Sequence, residues 1–325
     1  MKFNASIKYL DYYLPKGRIS IDEILSLNKD GEDTQVFKEQ SGIRHISVFT
    51  QNDNIAEIVS NMIDKLLQTT KIKPAEIKYL VCGNPVLMGD KYSIIHYIHK
   101  KFNMEKATIL SIFQLCASTL IAMGLSGNLL SSAEDEYALI LSANKSPDLK
   151  KRYLGYTVQG DGISLVLMEN KPGKTNLTHC FSYYNGTNSY QIIEGGCHGQ
   201  DLLKLKLKIV KEGALFLQRS ADKIKIPLDS FDTIIPPNTT YDVWDKLYSC
   251  LLDIEPGKFY LDNMGVGGHI NDVDLIRNLK DYIDKKTQPN TLKKKDIRIL
   301  IYAIDLFKSM DINYHIISLE LPVME

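Results

Sequence analysis

Between Asn54 and Leu67 the apolar residues Ile55, Ile58, Val59, Met62, Ile63, Leu66 and Leu67 recur every three to four positions. That is the spacing of one buried helix face. Residues 93–102 and 211–223 carry the same signal, and 117–130 is a long apolar run. Short apolar stretches read instead as strands: 77–82, closed by Gly83-Asn84-Pro85, then 107–113, 137–143, 163–168, 297–303 and 314–321. Residues 231–235 end at Pro236-Pro237, which have no N–H to give a ladder. Lys2 to Tyr13 alternates as an edge strand would and leads into the turn Pro15-Lys16-Gly17, after which Ser20 reads as a helix N-cap. Lys204, Lys206 and Lys208 alternate with leucines and predict a solvated strand face, whereas Trp244 and Tyr248, at i and i+4, predict core. Strands alternating with helices of this length predict an α/β layered fold, and no repeat is visible at residue level.

Composition narrows the class. At 325 residues and 44% hydrophobic content the chain can bury one large core or two domain-sized halves. Lys+Arg and Asp+Glu balance at 39 each, so no basic field points to nucleic acid. Five irregularly spaced cysteines describe neither a disulfide framework nor a metal site, which fits a reducing cytosol; no metal or cofactor is expected. Met1 to Lys8 lacks the apolar core of a signal peptide, and no run approaches the roughly 20 apolar residues that cross a bilayer, so a soluble cytoplasmic protein is expected. Asn185-Gly186-Thr187 is then a chance sequon.

The chemistry centres on Gln114-Leu115-Cys116-Ala117-Ser118. Here a thiol sits between a strand-like approach and a helix-like run. Unpaired backbone N–H groups and the helix dipole at such a junction favour a thiolate, so a lowered pKa is expected for Cys116. The bland reading is a buried thiol acting as a small hydrophobe. Cys197 and His198 lie between glycines, but adjacent residues on an extended segment face apart, and a loop is the better reading. Gly160-Asp161-Gly162 lacks the rest of a phosphate or metal signature.

Taken in order, Pro15-Lys16-Gly17-Arg18, Ser41-Gly42-Ile43-Arg44, the Cys116 segment, Gly160-Asp161-Gly162, and Gly268-His269 with Asp274 and Asn278-Leu279 resemble the ketoacyl-acyl-carrier-protein synthase III family of thiolase-like condensing enzymes. Similarity runs over nearly the whole chain. The resemblance implies a five-layer αβαβα fold of two similar halves, 1–172 with the nucleophile and 173–325. It implies Cys116 as the residue acylated by a thioester on acyl carrier protein or coenzyme A, and usually a homodimer. A heterodimer with a paralogue is the alternative.

Departures from the family reshape the expected chemistry. Where the family has its catalytic histidine this chain has Pro237, which can neither move a proton nor donate a hydrogen bond. The family's asparagine aligns with His269, and Asp274 follows, a pattern resembling family members that transfer acyl groups to a hydroxyl or amine. His269 either serves as base, oriented by Asp274 or Asp272, or braces the glycine turn; Asp274 either orients it or caps the following helix. The family's coenzyme-binding tryptophan and arginine align with Val36 and Gln40, and its glycine-rich oxyanion loop with Asp305 to Asp311. The expected activity is therefore a Cys-dependent acyltransferase, ahead of a decarboxylative 3-oxoacyl synthase and of a non-catalytic subunit of a heteromeric enzyme.

Overall fold

In the computed structural model, residues 3–28, 34–83, 85–88, 92–130, 136–146, 148–187, 202–287, 296–306 and 311–322 are described. The first part of the chain contains β1 (Ser6–Tyr13), β2 (Gly17–Ser20), α1 (Ile21–Ser26), α2 (Thr34–Ser41), β3 (His45–Val48), α3 (Ile55–Thr70), β4 (Ile77–Gly83), α4 (Ile94–Lys101), β5 (Thr108–Ile112), α5 (Ser118–Leu129), β6 (Tyr137–Asn144) and β7 (Gly162–Glu169). There follow β8 (Asn176–Tyr183), α6 (Leu202–Ile224), β9 (Thr233–Ile235), α7 (Ser249–Leu252), β10 (Val266–Gly267), α8 (Val273–Lys286), β11 (Ile297–Leu306) and β12 (Ile312–Leu321). Ser20 caps α1 as its sequence predicts. Ser20 Oγ accepts from the Glu23 N–H, and Asn54 and Ser93 cap α3 and α4 the same way.

Strand order exposes a repeat that the residues hide. The large sheet runs β5-β4-β6-β7-β1-β8-β12-β11-β9. On one side β4 is parallel to β6, while β6–β7 and β7–β1 are antiparallel; on the other β9 is parallel to β11, while β11–β12 and β12–β8 are antiparallel. Helix α5 precedes β6 exactly as α8 precedes β11 in chain order. Among the described residues the two sets pair at one short stretch, where Ser6 stands opposite Asn176. The edge strand expected within Lys2 to Tyr13 is corrected: β1 (Ser6–Tyr13) is a seam, with β7 running along it.

Three clusters of apolar side chains separate five layers. Val81, Ala138, Ile140 and Val166 from one set and Ile299, Ile301, Ile317 and Leu319 from the other enclose α5 (Leu120, Met123) and α8 (Leu275, Ile276, Leu279). Outside the first set, Leu139, Leu141, Leu165 and Leu167 pack on Val59, Ile63 and Leu66 of α3 and on Ile98 of α4. Outside the second, Leu300, Tyr302, Tyr314 and Ile316 pack on α6 and on Trp244 and Tyr248, both fully buried. This is the αβαβα order, and it explains why α5 is apolar all round: sheets cover it on both sides.

A second expectation is corrected. Lys204, Lys206 and Lys208 lie in α6, not in a strand. Leucine and lysine both favour helix, and a short period-two stretch contiguous with the helical pattern of 211–223 follows its neighbours. Among the described residues no helix is long and apolar enough to cross a membrane.

Candidate active site

The N-terminal ends of the two central helices meet, and there the candidate residues converge. Thr119 in the first turn of α5 gives its N–H (3.2 Å) and its hydroxyl (2.7 Å) to Asp272 Oδ2, just ahead of α8. Ser142 of β6 gives its hydroxyl to the same carboxylate at 2.7 Å. Asp272 is fully buried, and that burial pushes its carboxyl up to about 6 against the opposing pull of these bonds. It ties α5, α8 and β6 together.

Cys116 lies on a tight turn between β5 and α5. Leu115 before it is held at φ 39°, in the left-handed region that a branched side chain disfavours. Bonds on either side hold the turn: Ser118 Oγ accepts from the Gln114 N–H at 2.9 Å, and Asp305 Oδ1 accepts from the Ala117 N–H at 3.0 Å.

His269 comes from the loop before α8. Its N–H donates to the Val158 carbonyl (2.8 Å) and its carbonyl accepts from the Gly160 N–H (2.9 Å). Glycine is required on both sides of this clamp. A Cβ on Gly160 would overlap the Gly267 carbonyl oxygen, and Gly268, at φ 75°, would place a Cβ 2.6 Å from Ile46 Cγ2. Asp161 anchors the facing segment through a buried bidentate pair with Arg152, both bonds 2.8 Å. Gly160-Asp161-Gly162 thus shapes the site without touching the thiol.

The side chains then form a line. His269 Nε2 is 3.4 Å from Cys116 Sγ, and His269 Nδ1 is 2.6 Å from Asp274 Oδ2. Asp274, fully buried in the first turn of α8, also accepts from the N–H groups of Ile270 and Asn238, each at 3.0 Å. With Nδ1–H donated to Asp274, Nε2 is left as an acceptor facing the thiol. Asp272, the alternative orienting carboxylate, is committed to Thr119 and Ser142 instead. The Pro237 carbonyl accepts from Trp244 Nε1 (3.1 Å), and its neighbours Pro236 and Asn238 are held by Asn278.

Further polar partners gave no motif in the sequence. Asn144 Nδ2 donates to the Gly160 carbonyl (2.6 Å), so its Oδ1 accepts from Asn271 Nδ2 (2.6 Å) and Asn271 Oδ1 is left 3.6 Å from Cys116 Sγ. Both groups aimed at the thiol are therefore acceptors. The expected lowering of the Cys116 pKa is reversed: burial first, then the carboxylates of Asp305, Asp272 and Asp274, hold it well above the ordinary thiol range.

At the family's glycine-loop position stands Asp305; Phe307 to Met310 lie outside the described residues, as do Cys197 and His198. Val36 and Gln40 are exposed on α2. Among the described residues no cluster of His, Cys, Asp and Glu is arranged to hold a metal.

A family model described as FAE1/Type III polyketide synthase-like protein matches residues 24–157. No curated protein sequence matches the chain. Among solved structures, 3-oxoacyl-[acyl-carrier-protein] synthase III from Aquifex aeolicus VF5 superposes with a TM-score of 0.76 at 15% identity, covering 96% of this chain and 99% of that one. An OleA variant from Xanthomonas campestris gives 0.77 at 15% identity over 98% and 99%, and the acyltransferase ChlB3 gives 0.74 at 13% over 96% and 97%. The chain has the thiolase-like fold of 3-oxoacyl-[acyl-carrier-protein] synthase III and OleA.

Proposed function

Proceeding from the thiolase-like fold shared with these condensing enzymes, we propose that the chain is a Cys-dependent acyltransferase that takes an acyl group from a thioester, preferably on acyl carrier protein, and passes it to a hydroxyl or amine. One observation carries the reading: the thiol, imidazole and carboxylate of Cys116, His269 and Asp274 stand in hydrogen-bonding order at the meeting point of two helix N-termini. Cys116 attacks the thioester carbon while His269 Nε2 takes the thiol proton, and Asp274 stabilises the imidazolium that forms. The tetrahedral adduct collapses, the C–S bond to the donor breaks, and the proton leaves with the donor thiol. In the second half His269 takes the proton of the acceptor O–H or N–H as it attacks the acyl-Cys116, and returns it to the departing Cys116 sulfur. A ping-pong sequence follows.

Pro237 favours this reaction over decarboxylative condensation, since no proton donor replaces the family histidine there. The reading includes a cytoplasmic homodimer. Its support is that β5 ends the large sheet and Phe113 beside it is 59% exposed.

Intact-protein mass spectrometry after incubation with acyl-carrier and acyl-CoA donors tests the reading. Wild type should gain one acyl mass and Cys116→Ala none. No adduct on the wild type across a broad donor panel would sink it in favour of a non-catalytic subunit, and efficient decarboxylation of a malonyl donor would turn it to the condensing reaction.

A further inference from the structure

A second buried histidine–carboxylate couple lies directly behind the nucleophile. Strand periodicity places it there. On β11, Ile299, Ile301 and Ala303 face the central helices, and Asp305 is the next residue on that face; on β12, Leu321, Leu319 and Ile317 lead to His315 in the same way. Both side chains are at most 2% exposed. Asp305 Oδ1 holds the Ala117 N–H at 3.0 Å, Oδ2 is 3.1 Å from His315 Nε2, and His315 Nδ1 is 2.9 Å from Ser182 Oγ. With both ring nitrogens engaged, His315 is closed to any substrate.

We propose that Asp305, locked by His315, is a positioning residue that pins the nucleophile turn through the Ala117 amide and holds Cys116 as a neutral thiol until His269 removes its proton. The inference rests on the acyltransferase reading for its purpose but not for its test. His269 Nε2 and Asn271 Oδ1, from the loop before α8, face the thiol directly; the charged and titratable groups around it are Asp305 of β11, bonded to the next residue's amide, Asp272 and Asp274 at the start of α8, bonded to Thr119 and to His269, and Tyr156 from the segment after β6. The carboxylates disfavour a thiolate, and the Asn271 carbonyl and His269 Nε2 accept the thiol proton. The Ala117 N–H, shared between Asp305 Oδ1 (3.0 Å) and the Gln114 carbonyl (2.8 Å), gives nothing to a sulfur anion. Cys116 thus resists adventitious alkylation and oxidation, and its proton leaves only toward the imidazole paired with Asp274.

The rate of Cys116 alkylation by iodoacetamide, followed against pH with the site identified by mass spectrometry, reads the thiolate fraction and needs no acyl donor. The wild-type midpoint should lie above that of a free thiol, near 8.5. A midpoint at or below the free-thiol value overturns the proposal without any substitution. In Asp305→Asn, and in the smaller Asp305→Ser, the midpoint should fall by about one unit, raising alkylation at pH 7 about tenfold. A folded variant with lower thermal stability but an unmoved midpoint would reduce Asp305 to a structural anchor. Failure to form an acyl adduct with normal alkylation behaviour would fault the acyltransferase reading alone.

Discussion

Replacing Asp274 by asparagine probes the proposed relay at its most constrained atom pair. Four donors surround the carboxylate: His269 Nδ1 (2.6 Å) and the Asn238 N–H (3.0 Å) at Oδ2, the Ile270 N–H (3.0 Å) and Asn238 Nδ2 (3.3 Å) at Oδ1. An amide has one acceptor oxygen, so its NH2 must face a backbone N–H on either side, and neither backbone group can turn away. Leaving one such donor unsatisfied costs about 1–3 kcal/mol of stability. The kinetic effect is larger. If the NH2 faces His269, the imidazole must carry its proton on Nε2, pointing at Cys116 Sγ, and can no longer take the thiol proton. If it faces Ile270, the imidazolium loses its countercharge, an effect of about 3–5 kcal/mol for a buried pair. Either way acylation should slow by roughly 10²–10⁴-fold at pH 7; the upper figure is the loss known for the corresponding change in serine proteases. The assay is single-turnover acylation of Cys116 followed by intact mass. Because the variant must use pre-formed thiolate, its rate should climb about tenfold per pH unit above neutrality. A folded Asp274→Asn protein that acylates within tenfold of wild type at pH 7 refutes the relay.

Two further outcomes follow from the same geometry. Asp272 has a folded pKa of about 6 against an ordinary 3.8, so its contribution to stability is full below about 4 and is lost as pH rises through 6, a cost of about 3 kcal/mol at pH 7. Asp272→Asn should therefore make the change in unfolding free energy from pH 4 to pH 7 about 2.4 kcal/mol more favourable than in wild type, measured by urea titration; identical changes would contradict the buried ionisation. Gly268→Ala forces a Cβ against Ile46 at a positive φ and should cost about 2–3 kcal/mol in thermal unfolding while slowing acylation through displacement of His269. Unchanged stability would show that the turn has room.

Hydrophobic periodicity by itself determined most of the elements, because burying one face of a helix or strand leaves a local signature of 3.6 or 2 residues. The position of Cys116 at a strand-to-helix junction and of His269 after glycines was legible for the same local reason. Tertiary structure alone decided three things. Asp274 rather than Asp272 faces His269, because the two carboxylates lie on opposite sides of the first turn of α8 and Thr119 and Ser142 claim the other. The fold repeat, invisible in the residues, emerges only from strand pairing. The sign of the field on Cys116 was unreadable locally: the junction predicts a favoured thiolate, yet Asp305, bonded to an amide 188 residues away in the chain, contributes with Asp272 and Asp274 to a negative field there. Electrostatics sums over neighbours in space, and sequence orders neighbours only along the chain.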